Sequence, residues 1–157
     1  MSDEIPGSEH EKLVTTDFSK GRFIPHGVMK IDREDNVLSC DITGPFNVEF
    51  MTCYFQMCAH VFAQWPAERK VFAFTRWWRT TLGSPDAIEY FSHWTKKYAK
   101  AIHSFHVWYM PPDIEGRSIM APIWSKPFKE ADIFLEVFDD ENVAFARVME
   151  LKQIHDK

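Results

Sequence analysis

The sequence predicts an α/β domain: a mixed, mostly parallel five-stranded sheet that opens with an antiparallel hairpin and carries about four helices, in the order β-β-α-β-α-β-α-β-α. Three observations predict it. Short apolar runs alternate with stretches whose apolar residues recur every three or four positions, and strands separated by helices imply parallel neighbours joined by crossovers. The first two apolar runs are separated by a polar turn alone, which makes them a hairpin. Several of the periodic stretches also begin on residues that start helices well.

Residues 1–20 are polar, acidic and aperiodic, and read as a flexible leader; residues 21–157 read as a single folded domain. Phe23, Ile24, Val28 and Ile31 mark the first strand, Arg33-Glu34-Asp35-Asn36 the turn, and Val37, Leu38, Cys40 and Ile42 the second strand. Gly44-Pro45-Phe46-Asn47 stops that strand. Asn47 suits an N-cap, its side-chain oxygen accepting a free backbone N–H, and Glu49 suits the positive end of the helix dipole. Phe50, Cys53, Tyr54, Met57, Val61 and Phe62 form one apolar face of a helix ending near Trp65-Pro66.

Val71-Phe72-Ala73-Phe74 has the continuous apolar pattern of a strand covered on both faces. A loop from Arg76 to Gly83 then leads to Ser84-Pro85-Asp86, a cap, a residue that needs no N–H and an acid favoured by the dipole. Ile88, Phe91, Trp94 or Thr95, Tyr98 and Ile102 complete the second helix. Phe105 to Met110 reads as a strand closed by Pro111-Pro112. A helical stretch covers Glu115 to Lys126, with Pro122 kinking it or marking its first turn. Ile133 to Phe138 is the last strand, and Asp140-Glu141 opens a final helix through Leu151.

Bulk properties narrow the function classes. A chain of 157 residues, 45% apolar, is long enough to bury roughly two thirds of its unfolded surface. The net charge is −5, and residues 1–20 carry five acids against two lysines, so the rest is nearly balanced. Such a balance predicts no general affinity for nucleic acid or anionic membranes. No apolar run approaches the roughly 20 residues of a membrane span. The start, MSDEIPGSEHEK, has neither the basic region nor the apolar run of a secretory signal. Cys40, Cys53 and Cys58 make an odd count with no CxxC spacing, so reduced thiols and a cytoplasmic location are expected.

Three phrases carry a family likeness: Ile42-Thr43-Gly44-Pro45-Phe46-Asn47-Val48-Glu49 at the first helix, Glu115-Gly116-Arg117 with Ile123-Trp124 at the third, and Val137-Phe138-Asp139-Asp140-Glu141 before the last. With the element order, they make residues 22–151 resemble the STAS-like family, related to sporulation anti-sigma-factor antagonists. The resemblance implies a STAS-like fold and a non-enzymatic regulatory domain that docks a protein partner. The antagonists carry an Asp-Ser-Ser/Thr-Gly motif after the third strand, where the serine is phosphorylated. Here the matching stretch reads Arg76-Trp77-Trp78-Arg79-Thr80-Thr81-Leu82-Gly83-Ser84, so no phosphoswitch carries over by residue match.

The stretch 76–84 is the densest candidate site. Arg76, Trp77, Arg79, Thr80, Thr81 and Ser84 precede a helix N-terminus whose free N–H groups favour an anion. Arginine adds bidentate recognition of phosphate or carboxylate, either as a small anion or as a partner's acidic side chain. On the first helix, Met51, Phe55 and Phe62 are candidates for a self-association face, and a homodimer is expected if they are exposed. His103 and His106, three apart on a strand, point to opposite faces and make a poor metal pair. Asp113, Glu115, Asp139, Asp140 and Glu141 fall at helix starts, where capping explains them. Cys58 and His60 do not share a helix face, so a nucleophile–base pair is disfavoured. No cofactor is implied.

Three functions stay open on this reading: a protein-docking regulatory module, a carrier of a small apolar or amphipathic ligand in an aromatic-lined cavity, and an enzyme with an unrecognised site. They forecast different structures. A docking module shows a convex apolar patch and no deep pocket, a carrier an apolar cavity, and an enzyme a cleft of titratable groups with shifted pKa.

Overall fold

The computed structural model describes residues 10–21 and 23–157. Six strands and four α-helices follow in order: β1 (His10–Val14), β2 (Val28–Glu34), β3 (Val37–Thr43), α1 (Val48–Phe62), β4 (Val71–Trp78), α2 (Pro85–Ala99), β5 (Ser104–Tyr109), α3 (Arg117–Glu130), β6 (Phe134–Phe138) and α4 (Glu141–His155). They build one sheet with the strands side by side in sequence order. β1–β2–β3 is antiparallel and β3–β4–β5–β6 parallel, so the sheet is mixed, as the alternation of patterns predicts.

The strand count corrects the expectation of five. The added strand, β1, comes from the stretch read as a leader, of which residues 1–9 lie outside the described residues. Its sequence, HEKLV, has too little apolar alternation to announce a strand. What holds it is largely backbone pairing with β2, which any side chain permits. Leu13 and Phe18 then pack against the core, and the wholly buried Thr15 hydroxyl accepts the Met29 N–H at 3.0 Å. Phe23 and Ile24, expected in the first strand, are exposed and precede it.

The layers follow from the alternation along each strand. Ala73 and Trp77 of β4 face α1, α2 and α3 on one side, with Phe50, Phe91 and Trp124 of those helices in the same core. Phe72 and Phe74 face α4 on the other, against Ala144, Val148 and Leu151. Three helix starts are as the sequence predicts. Asn47 accepts from Phe50 N–H, Ser84 from Ala87 N–H, and Asp140 from Val143 N–H. α3 starts two residues later than expected and encloses both Pro122 and Pro127.

A buried polar knot closes the end of the molecule where β4, β5 and β6 begin. Asn36, in the β2–β3 turn, donates to Lys70 O at 2.9 Å and to Asp156 at 3.2 Å, and accepts from Lys152. Arg69 bridges Asp35 at 2.6 Å and Asp156 at 2.9 Å. Burial pushes the Asp156 carboxyl up, but the Lys152 ammonium and Arg69 guanidinium outweigh it and hold the group below its ordinary value. The knot ties the last helix to the hairpin turn.

The anchoring of β1 is testable. Thr15→Val leaves the Met29 N–H buried without an acceptor and should cost about 1–3 kcal/mol in urea unfolding. Thr16→Val, at an exposed neighbour, should stay within about 0.5 kcal/mol of wild type.

Candidate functional site

The residues expected to form an anion site do not converge on one surface. β4 runs on to Trp78, which corrects the loop expected from Arg76. The reason is pairing on both sides: Arg76 is in register with Asp41 of β3 and Tyr109 of β5. Its guanidinium is already committed to Asp41 at 2.7 Å and Glu141 at 2.9 Å. Trp77 points the other way into the core, 3% exposed, its indole N–H without an acceptor among the described residues. Trp78 donates to Asp41 at 2.8 Å.

Arg79 has a positive φ of 70° and is exposed, whereas Thr80 and Thr81 are buried. Thr80 donates to the Glu115 carboxylate at 2.8 Å and Thr81 to the Glu115 carbonyl at 2.7 Å. Gly83 admits the Trp124 ring, since a Cβ there would lie 2.6 Å from it. At the opening of α2 the Ala87 N–H is met from within the chain, reaching Ser84 Oγ at 3.3 Å and Asp86 Oδ1 at 3.0 Å. Carboxylates of the chain therefore occupy the places an anion would take.

The self-association candidates are also corrected. Met51 is 2% and Phe55 7% exposed, and Phe62 is half-buried against the core. α2 covers the flank of α1 that its own periodicity leaves open. The Phe55 ring packs against Tyr54 at 4.7 Å, Tyr90 and Tyr98 at 6.0 Å and Phe91 at 6.1 Å.

Four of the five acids at helix starts, all but Asp113, have structural partners. Asp140 caps α4, Glu141 holds Arg76, Asp139 pairs with Arg117, and Glu115 holds Thr80. His60 is exposed and bonded to Glu11 at 2.8 Å, away from the interior-facing Cys58. No group of three or more His, Cys, Asp or Glu is placed to hold a metal among the described residues.

What the sequence does not announce is a cavity between the sheet and helices α1, α2 and α3. Its floor on the strands sets the short side chains of Cys40, Ala73, Thr75 and Ser104 among the larger ones of Met29, Ile31, Leu38, Val71 and His106. Its roof is Tyr54, Phe55 and Cys58 of α1, Thr95, Tyr98 and Ala99 of α2, and Phe128 of α3. The short side chains leave part of the space beneath the rings unfilled, and well-packed interiors seldom leave such voids. The inner chamber measures about 80 Å³. It adjoins an outer vestibule of about 470 Å³ through shared walls at Phe62, Ala99, Ile102, Ser104 and Ile133. The vestibule opens beside the last turns of α1 and α2 and the residues that follow α3, with Glu68, Arg69, Lys100, His103 and Asp132 at its rim. The chamber alone is smaller than the roughly 150 Å³ that holds a benzene. Chamber and vestibule together fall in the range of small-molecule sites.

The polar groups in the chamber are kept neutral by their surroundings. Burial pushes the Cys58 thiol up to about 12 despite a hydrogen bond from Tyr54, and pushes Tyr54 and Cys40 well above their ordinary values. Burial holds His106 down at about 4. Its Nε2 lies 2.8 Å from Ser104 Oγ and its ring 4.9 Å from that of Phe128. A thiol in this state is not a nucleophile at neutral pH. His103, by contrast, is exposed in the turn before β5, so the two histidines do not form a pair. No family model, no curated protein and no solved structure matches this chain.

The neutral His106 makes stability depend on pH. Its proton is taken up in the unfolded chain near pH 6.5 but in the folded chain only near 4, so its contribution is complete above 6.5 and lost as pH falls through that window. Between pH 7 and pH 5 this group alone should cost about 2 kcal/mol. Urea unfolding should show His106→Leu losing about that much less than wild type over the same interval.

Proposed function

We propose that this protein binds a small molecule with an apolar body, without covalent chemistry, in the tunnel formed by the chamber and its vestibule. The observation that carries the reading is a ring-walled chamber under the helical layer whose lining residues Phe62, Ala99, Ile102, Ser104 and Ile133 also line an open vestibule. An apolar segment gains its affinity there from leaving water. The inertness of Cys58 and the neutrality of His106 support binding rather than catalysis.

Docking of a protein partner, the role implied by the STAS-like resemblance, is a second reading with one observation in its favour. Val143, Phe145, Met149 and Ile154 on α4 are 42–53% exposed. These residues flank the buried side of that helix and leave a surface for a partner. Self-association through Met51, Phe55 and Phe62 has no such support, because the helical layer covers them.

Titration with straight-chain alkyl compounds followed by heteronuclear NMR tests the first reading. Shifts should concentrate on Tyr54, Ala73, Thr95 and Ala99, and the Kd should fall about fourfold for each added methylene while the chain still lengthens inside the tunnel. Ala99→Phe narrows the shared wall and should weaken every member of the series at least tenfold with an unchanged fold by circular dichroism. Absence of any saturable shift across the series, together with shifts confined to α4 on adding a cell extract, would replace this reading with the docking one.

A further inference from the structure

We propose that the inner chamber selects a hydroxyl group at the buried end of its ligand, with His106 as the hydrogen-bond partner; this rests on the tunnel being a ligand site. His106 stands on the inward face of β5, in the wall of the chamber. Its Nε2 is engaged by Ser104 Oγ at 2.8 Å, while its Nδ1 has no partner among the described residues. The residue is only partly buried and lines the chamber.

Tyr54 and Cys58 show the same combination, and their polar atoms are bonded to each other. Thr75 is bonded to Cys40. Thr95 and Tyr98 bring further hydroxyls to the helical side of the same wall, and His106 is its imidazole. A neutral imidazole with one nitrogen in use presents either a donor or an acceptor at the other, depending on its tautomer. A hydroxyl matches both, since it donates and accepts; a ketone matches only one.

The charges argue against a carboxylate in the chamber. No lysine or arginine lines it. A buried anion without a cation would have to take up a proton or protonate His106, and burial opposes the second outcome. At the rim, Lys100 is offset by Glu68 and Asp132 in the same lining. Arg69 is held by Asp35 and Asp156, and α1 and α2 end beside the vestibule, turning the negative ends of their dipoles toward it. A neutral alcohol fits both ends of the tunnel, with its hydroxyl inside and its alkyl chain along Phe62, Ile102 and Ile133.

The experiment compares octan-1-ol, octane and octanoate at pH 7 on wild type and His106→Leu, with affinities from NMR titration and the His106 ring nitrogens followed by long-range ¹H–¹⁵N correlation. A chamber without a partner for the hydroxyl would bind octanol roughly tenfold or more weakly than octane. The expected result is that octanol equals or exceeds octane, that octanoate binds at least tenfold more weakly than octanol, and that the Nδ1 signal of wild type moves on adding octanol. His106→Leu should weaken octanol about tenfold and leave octane within twofold. Octane binding with no preference for octanol, or an unmoved Nδ1 signal at saturation, overturns the hydroxyl assignment and leaves the tunnel intact. Binding of none of the three overturns the tunnel itself. Should His106→Leu fail to fold, the Nδ1 signal and the three wild-type affinities decide the matter.

Discussion

The architecture depends on a mismatch of side-chain size between two facing layers. The helices that cover one face of the sheet meet through rings: Phe55 is packed among Tyr54, Tyr90, Phe91 and Tyr98, and Phe91 in turn lies 5.3 Å from Trp124. These contacts fix how closely α1, α2 and α3 approach one another. Beneath them the strands offer the short side chains of Cys40, Ala73, Thr75 and Ser104 between the longer ones of Met29, Ile31, Leu38 and His106. Interiors normally close such a gap by repacking. Here the rings brace one another, and the gap persists.

The two ends of the parallel strands are consequently different in kind. At their carboxyl ends, where open α/β sheets usually hold ligands, Arg76, Trp78 and Thr80 are bonded to Asp41, Glu141 and Glu115. Polar groups there neutralise one another and pin strand to helix. At the amino ends the tunnel opens between the knot of Asn36, Arg69 and Asp156 and the turn before β6. The chemistry in the chamber is that of neutral groups, because burial suppresses the ionised forms of Cys58, Tyr54 and His106 alike.

Much of the fold was legible because it rests on local physics. Asn47, Ser84-Pro85 and Asp140 start helices through their own side chains and nearby backbone N–H groups, which sequence displays directly. The alternation of strand and helix patterns was likewise enough for a mixed, mainly parallel sheet. β1 was not legible, since its pairing is a property of the backbone of β2 and not of the side chains of HEKLV. Arg76 looks like loop in the sequence for a related reason: a charged residue inside a strand resembles punctuation until its partners, 35 and 65 residues away, are known.

The sequence by itself determined the element types, most of their boundaries and the greater part of the core, because periodicity and capping act within a few residues. Tertiary structure alone decided that Met51 and Phe55 are interior, that the residues of 76–84 serve the scaffold, and that a void lies under the helices. A void is set by the distance between layers, and that distance is fixed by ring contacts across α1, α2 and α3, which no single segment encodes. His106 illustrates the division: its place on a strand could be read from its neighbours, whereas its unpaired nitrogen and its depressed basicity arise from what three other elements bring around it.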